Sequence, residues 1–176
     1  EMFQKFEESD LLDSDRKIRI THIGKLSPQK RQKEIIEPAM DILKNYGFEY
    51  NPHYLDYFTK IPHSEMPEVY RGHDLLVISS REDGTPASVL EGGAMSLPMI
   101  GNKIGNLPEF IINGYNGYIV PEPTVKNYVD YFRSLDRTHI VEMGKNARET
   151  IETGWTWEIQ SENYRNMFND ILGISQ

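Results

Sequence analysis

The sequence predicts an α/β fold: a parallel sheet with helices on both faces. Three observations predict it. Short β-branched or apolar runs alternate with helical patterns along the chain. "DLLVISS", residues 74–80, is apolar without alternation, as expected of a parallel strand buried on both faces. Gly, Pro and Ser residues punctuate the junctions. The chain has 176 residues, enough for one domain with a sizeable core.

Residues 1–16 are acidic and irregular and read as a linker or leading segment. They lack the apolar core of a signal peptide and look like the interior of a longer chain. The folded domain is expected over 17–176. "KIRITHIG", 17–24, is a β-branched strand stopped by Gly24. In "SPQKRQKEIIEPAMDILKNYG", Ser27 is the expected N-cap and Pro28 the first helical residue. Ile35, Ala39, Ile42 and Leu43 recur at helical spacing and Gly47 ends the run, with Pro38 a potential kink. "HYLDYFTKI" reads as a strand, "SEMPEVYRGH" as a short helix and 74–80 as a strand. A helix over 86–96, the strand "PMIGN" and a short helix near 107–113 follow. "GYNGYIVP" is a turn and strand, and helices are expected near 123–135 and 137–153. In the last helix, Trp157, Tyr164, Phe168 and Ile171 are expected to form a packing face.

Composition excludes several classes. No apolar run approaches 18 residues, so no segment reads as a membrane span. The lack of cysteine excludes disulfides and thiolate metal sites, and fits a cytoplasmic protein. The net charge of −8 argues against nucleic-acid binding by the whole surface. The five histidines show no metal-ligand spacing with nearby carboxylates, so no metal site is expected. His22 reads as a core or strand-end residue and His73 as structural.

Parallel sheets bind ligands at the carboxyl ends of their strands. "SSREDGTPASVLEGGAMSLPMIGN", 79–102, starts at such an end. Thr85 can cap the following helix, Pro86 suits its first turn, and Gly84 leaves room for a close ligand. A helix N-terminus of this kind, built from Gly84, Thr85, Pro86, Ala87 and Ser88 with free N–H groups on all but Pro86, is an anion site suited to phosphate. Glu91 lies about 9 Å further along the axis, at ~1.5 Å per residue, and shares a face with Ser88. Ala87, Leu90, Ala94 and Leu97 are the expected buried face. A phosphate site and a carboxylate able to accept from a ribose diol together suit a nucleoside diphosphate. The alternative reading is a good helix start and a solvated Glu91, and spacing alone leaves both open.

The stretch continues as "SSREDGTPASVLEGGAMSLPMIGNKIGNLPEFIINGYNGYIVP", which resembles the signature of retaining glycosyltransferases of the GT-B fold. That group includes sucrose-phosphate synthases and many polysaccharide-building enzymes. Its donor site is marked by an acidic residue, seven intervening residues and a Glu, matched here by Asp83 and Glu91. "ITHIGKLSPQKRQKEII" is similar to the family's strand, glycine, basic residue and following Lys. "IPHSEMPEVYRGHDLLVISS", "NLPEFIINGYNGYIVP" and "WTWE" also match. Coverage is about residues 17–170.

The resemblance implies a Rossmann-like, nucleotide-sugar-binding domain, the C-terminal half of a GT-B enzyme. Lys25 and Lys30 would contact the donor phosphates, and Asp83 or the adjacent Glu82 the transferred sugar. Glu91 would hold the ribose, and Gly105 and Asn106 would offer backbone contacts. The donor would be a UDP- or GDP-sugar, with no obligatory metal or other cofactor, and the implied activity is hexosyl transfer to a hydroxyl in polysaccharide or glycoconjugate synthesis. The acceptor-binding N-terminal domain would be the partner, and this chain alone would transfer nothing. Peripheral membrane association of the full enzyme is an open expectation. Asp83 stands where the family usually has Glu, and Lys25 where Arg is frequent. Only about 16 residues separate the helix ending near Gly47 from that starting near Ser64, a trimmed unit that places "HYLDYFTKI" near the base pocket. Rival readings are a GT-B epimerase or phosphorylase-like enzyme, and a non-catalytic module that binds a nucleotide sugar or a protein. Lys30, Arg31 and Lys33 otherwise read as a solvated helix start, Glu109 as a helix-start residue, and Trp155 and Trp157 as packing residues.

Overall fold

A computed structural model describes residues 15–55 and 60–174. Nearly all of the expected leading segment, and residues 56–59 of "HYLDYFTKI", lie outside the described residues. The main sheet is parallel throughout. It contains β1 (Ile18–Thr21), β3 (Phe48–Tyr50), β5 (Leu75–Ile78), β6 (Met99–Asn102) and β7 (Gly117–Val120), in the order β3-β1-β5-β6-β7. The short strands β2 (Ile23–Gly24) and β4 (His53–Tyr54) pair beyond the ends of β1 and β3. The expected α/β Rossmann-like class is therefore correct.

Strand order follows from two-sided burial. β1 pairs with β5 through Ile20↔Leu75 and Thr21↔Leu76. All four residues of β5 are buried, and they alternate between two cores. Leu75 and Val77 face a core with Ile35, Ile36, Ala39 and Leu43 from the first helical segment and Tyr128 and Phe132 from α5 (Val125–Arg133). Leu76 and Ile78 face the other core. It is built by Tyr70 of α2 (Met66–Arg71), Val89 of α3 (Ala87–Ala94) and Phe110 of α4 (Leu107–Phe110). Each fully buried aliphatic side chain contributes about 2 kcal/mol relative to exposure.

The first helical segment begins later than its sequence signals predict. Ser27 caps no helix; its carbonyl accepts from Lys30 N–H in a turn. Arg31 adopts a left-handed conformation (φ 58°), and the helix begins at Gln32 with a wide turn over Gln32–Ile36. The Glu37 N–H reaches the Gln32 carbonyl, and α1 (Glu37–Leu43) follows. Pro38 sits at the start of α1, where its missing N–H costs little. Gly47 ends the run in the left-handed conformation, as expected. The helix expected near 107–113 is shorter, Leu107–Phe110.

Two further expectations are corrected. The buried positions of α3 are Val89, Gly92 and Gly93; of the expected face, Leu97 is buried, Leu90 and Ala94 are half-buried against the same core, and Ala87 is exposed. The Val89 side joins the apolar residues of β5 and α4, and the glycines allow close approach there. On α7 (Trp157–Leu172), Trp157 is 86% exposed and Tyr164, Phe168 and Ile171 are exposed as well. That stripe faces solvent and does not belong to either core. Trp155, in contrast, packs edge-on against Phe110.

The end of α3 carries a local conflict. Ser96 N–H bonds the Gly93 carbonyl and Leu97 N–H bonds the Gly92 carbonyl, a paired stop that needs a left-handed residue at position 96. Ser96 occupies it at φ 61°, and its buried hydroxyl has no partner among the described residues. The Ser96 carbonyl abuts Gly144 of α6 (Arg137–Thr150), where a Cβ would lie 2.3 Å away. Replacing Ser96 by Gly removes about 1 kcal/mol of backbone strain and the unpaired hydroxyl. Ser96→Gly should therefore raise the melting temperature by about 2–4 °C in a thermal scan.

Candidate functional site

The order β3-β1-β5-β6-β7 reverses direction between β1 and β5. In an open parallel sheet, the crevice outside the carboxyl ends of such a strand pair is the ligand site. Two loops meet there, residues 25–31 after β2 and 79–86 after β5.

These loops are stitched together. The Ser79 hydroxyl donates to the Lys30 carbonyl at 2.7 Å, and Arg81 N–H donates to the Gln29 carbonyl at 2.8 Å. Across this seam the Lys30 ammonium pairs with the Asp83 carboxylate. An ammonium has three donors, so one carboxylate partner leaves capacity for an anion. Glu82 is exposed; its backbone carbonyl, not its carboxylate, meets Gln29 at 3.4 Å. Lys25 is exposed on the first loop.

That first loop is held by a buried relay that sequence reasoning missed. His22 Nδ1 lies 3.2 Å from the Val77 carbonyl, which can only accept, so Nδ1 carries the proton. Nε2 then accepts from the Gln32 side-chain amide at 2.9 Å. The same amide donates to the Lys25 carbonyl at 2.8 Å. Burial lowers the His22 pKa from 6.5 to about 4, keeping the ring neutral. The position of the Lys25 loop thus depends on an uncharged His22. No periodicity marks Gln32 for this, since it stands within a run of charged residues.

The second loop is closed from the other side. Gly105 has φ 45°, and a Cβ there would lie 1.9 Å from the Gly84 carbonyl. Asn106 N–H donates to that carbonyl at 3.2 Å, and its side-chain amide donates to the Thr85 hydroxyl at 2.8 Å. Gly105, Asn106, Gly84 and Thr85 are therefore one unit. This corrects the expected cap: Pro86 is the N-cap of α3, and the Thr85 hydroxyl serves Asn106 instead. Val89 N–H bonds the Pro86 carbonyl, while the Ala87 and Ser88 amides have no acceptor among the described residues. Exposed first-turn amides and the positive end of the helix suit an anion.

Glu91 is half-buried and held on the α2 side. Tyr70 Oη donates to its Oε2 at 2.6 Å, and His63 Nε2 lies 3.3 Å from Oε1. Burial and the adjacent carboxylate raise the Tyr70 pKa, so Tyr70 stays a donor. Neither Tyr70 nor His63 was legible as a site residue in the sequence. Among the described residues, no group of three His, Asp or Glu side chains could hold a metal ion, and no helix is long and apolar enough to cross a membrane.

Comparison with known proteins follows this geometry. Residues 49–150 match the family described as "Glycosyl transferases group 1". The chain belongs to this family. The matched span contains Asp83, Gly84, Glu91, Gly105 and Asn106, whereas Lys25 and Lys30 precede it. The chain is 26% identical over 163 residues to the D-inositol 3-phosphate glycosyltransferase of Corynebacterium glutamicum, covering 91% of this chain and 37% of that one. It spans less than half the length of the curated relatives it first matches. Its fold is similar to the C-terminal domain of a group 1 glycosyl transferase (LpcC) from Francisella tularensis. The TM-score is 0.72 at 20% identity, covering 89% of this chain and 97% of that one. It is also similar to Anabaena HepE in complex with UDP-glucose, with a TM-score of 0.67 at 14% identity, covering 95% of this chain and 54% of that one.

The His22 relay gives a signed pH dependence. The unfolded ring takes a proton near pH 6.5 and the folded ring only near pH 4. Stability from the neutral ring is fully present above pH 6.5 and is lost as pH falls from 6.5 to 4, by roughly 3 kcal/mol. Denaturant unfolding at pH 7 and pH 4.5 should show this loss in the natural chain. His22→Gln should start less stable at pH 7 and lose less over the same interval.

Proposed function

We propose that residues 17–176 form the nucleotide-sugar-binding half of a retaining glycosyltransferase, which transfers a hexose to an acceptor hydroxyl with its anomeric configuration kept. The observation that carries the reading is the convergence of Lys30, Asp83, the Gly84–Gly105 contact and the start of α3 at the β1/β5 crevice.

In this reading the donor diphosphate lies against the Ala87 and Ser88 amides, with Lys25 and Lys30 beside it. Charge builds on the diphosphate as the bond to the sugar breaks. Fixed amides and ammonium groups stabilise that charge without rearranging in the transition state. Asp83, already directed at Lys30, orients the sugar hydroxyls; exposed Glu82 is the less favoured acid. Gly105 lines the sugar side through its backbone, and Asn106, whose N–H is committed to the Gly84 carbonyl, holds Gly105 in place. Glu91, further along α3, accepts from the ribose diol. UDP- and GDP-sugars both fit this chemistry, and the UDP-glucose complex of the structural neighbour HepE supports the uridine donor.

The reading includes a second half that binds the acceptor. Its support is the chain's partial coverage of its relatives and the exposed apolar stripe of α7. Trp157, Tyr164, Phe168 and Ile171 recur at spacings of seven, four and three, so they lie along one helical face. An exposed apolar stripe of this kind marks a surface that is covered in the assembled protein.

Calorimetric titration of the full chain with UDP, GDP and ADP tests the function. The expected result is binding of one nucleotide, weakened at least tenfold by Glu91→Ala. Failure of all three to bind at millimolar concentration would overturn the donor-site reading.

A further inference from the structure

Glu91 is only as useful to a ligand as its carboxylate is fixed. A glutamate has three rotatable side-chain bonds, and freezing such a side chain when a ligand arrives reduces affinity. In this structure the carboxylate is held from outside α3, at Oε2 by Tyr70 of α2 and at Oε1 by His63, just ahead of α2. Tyr70 is fully buried in the core between α2, α3 and β5, together with Leu76, Val89 and Phe110. Gly92, the residue after Glu91, lies against it: a Cβ on Gly92 would be in ordinary van der Waals contact, 3.7 Å from Cε1 of the Tyr70 ring. The ring therefore sits beside the α3 backbone, with its hydroxyl 2.6 Å from Glu91 Oε2.

We propose that Tyr70 is a positioning residue for nucleoside-diphosphate binding, holding the Glu91 carboxylate in the orientation that accepts from the ribose. This inference rests on the assignment of Glu91 to the ribose. The phenol occupies part of the capacity of Oε2, and a carboxylate keeps further lone-pair sites for a diol. Burial and the Glu91 carboxylate raise the Tyr70 pKa, so the phenol remains a donor at neutral pH. Tyr70 contributes no group to the diphosphate, because its bond runs to the middle of α3 and not to its N-terminus.

The test is calorimetry on the full chain with two probes, the nucleotide that binds and inorganic pyrophosphate. Tyr70→Phe keeps the ring and removes only the hydroxyl. It should weaken nucleotide binding about three- to tenfold, the range for one newly immobilised side chain, and leave pyrophosphate binding unchanged. On a Glu91→Ala background the same substitution should have no further effect, because the group it positions is gone. The outcomes separate the two ideas. If Glu91→Ala binds nucleotide as the natural chain does, the ribose assignment fails. If Glu91→Ala weakens binding but Tyr70→Phe does not, Tyr70 has no positioning role. Equal weakening of both probes by Tyr70→Phe means a general loss of structure and also overturns the proposal.

Discussion

Parallel pairing of β1 with β5 is the constraint on which the rest of the structure depends. β5 is apolar on both sides, so it requires a helical layer on each. Parallel neighbours in turn require long crossovers, and helices supply them. The first crossover sends β3 to one side of β1, and the next sends β5 to the other. The chain must then leave β1 and β5 at a point where no helix covers both carboxyl ends. The crevice is a consequence of satisfying the core, and the candidate site occupies it.

Polar groups set the details of that crevice, and they do so through short-range bonds. The seam from Ser79 and Arg81 to Lys30 and Gln29 fixes the first loop against β5. The His22–Gln32 relay fixes the same loop from beneath. A buried neutral histidine is costly to protonate, which is why it can serve as an uncharged spacer between β5 and the loop. The second loop has a steric lock instead. Gly105 approaches the Gly84 carbonyl more closely than a side chain at position 105 would allow, and Asn106 secures the contact.

α3 serves the two sides of the molecule differently. Val89, Gly92 and Gly93 face the core, and the lack of side chains at the glycines brings α3 close to Leu76, Phe110 and Ile151. Its exposed first turn offers amides, while Glu91 reaches back to Tyr70. The helix is short, and its stop at Ser96 leaves room for α6 to approach through Gly144. Packing and candidate binding are thus separated by helical phase rather than by distance.

By itself the sequence determined the α/β class and most strands and helices, and it set Asp83 and Glu91 eight positions apart. These are local signals: β5 is an unbroken apolar run, Gly47 is a helix stop, and the spacing of Asp83 and Glu91 is read directly along the chain. Tertiary structure alone decided what each polar side chain bonds. Ser27 and Thr85 both look like helix caps, but Ser27 turns the chain and Thr85 accepts from Asn106, because distant segments offered these groups other partners. The buried face of α3 was likewise decided by where Leu76, Tyr70 and Phe110 come to lie, not by its own apolar pattern. Lys30 and Asp83 are 53 residues apart, as are no signals that periodicity can read. Tyr70 and Gln32 carry no local mark at all, since a hydrogen bond between distant segments exists only once the sheet has brought them together.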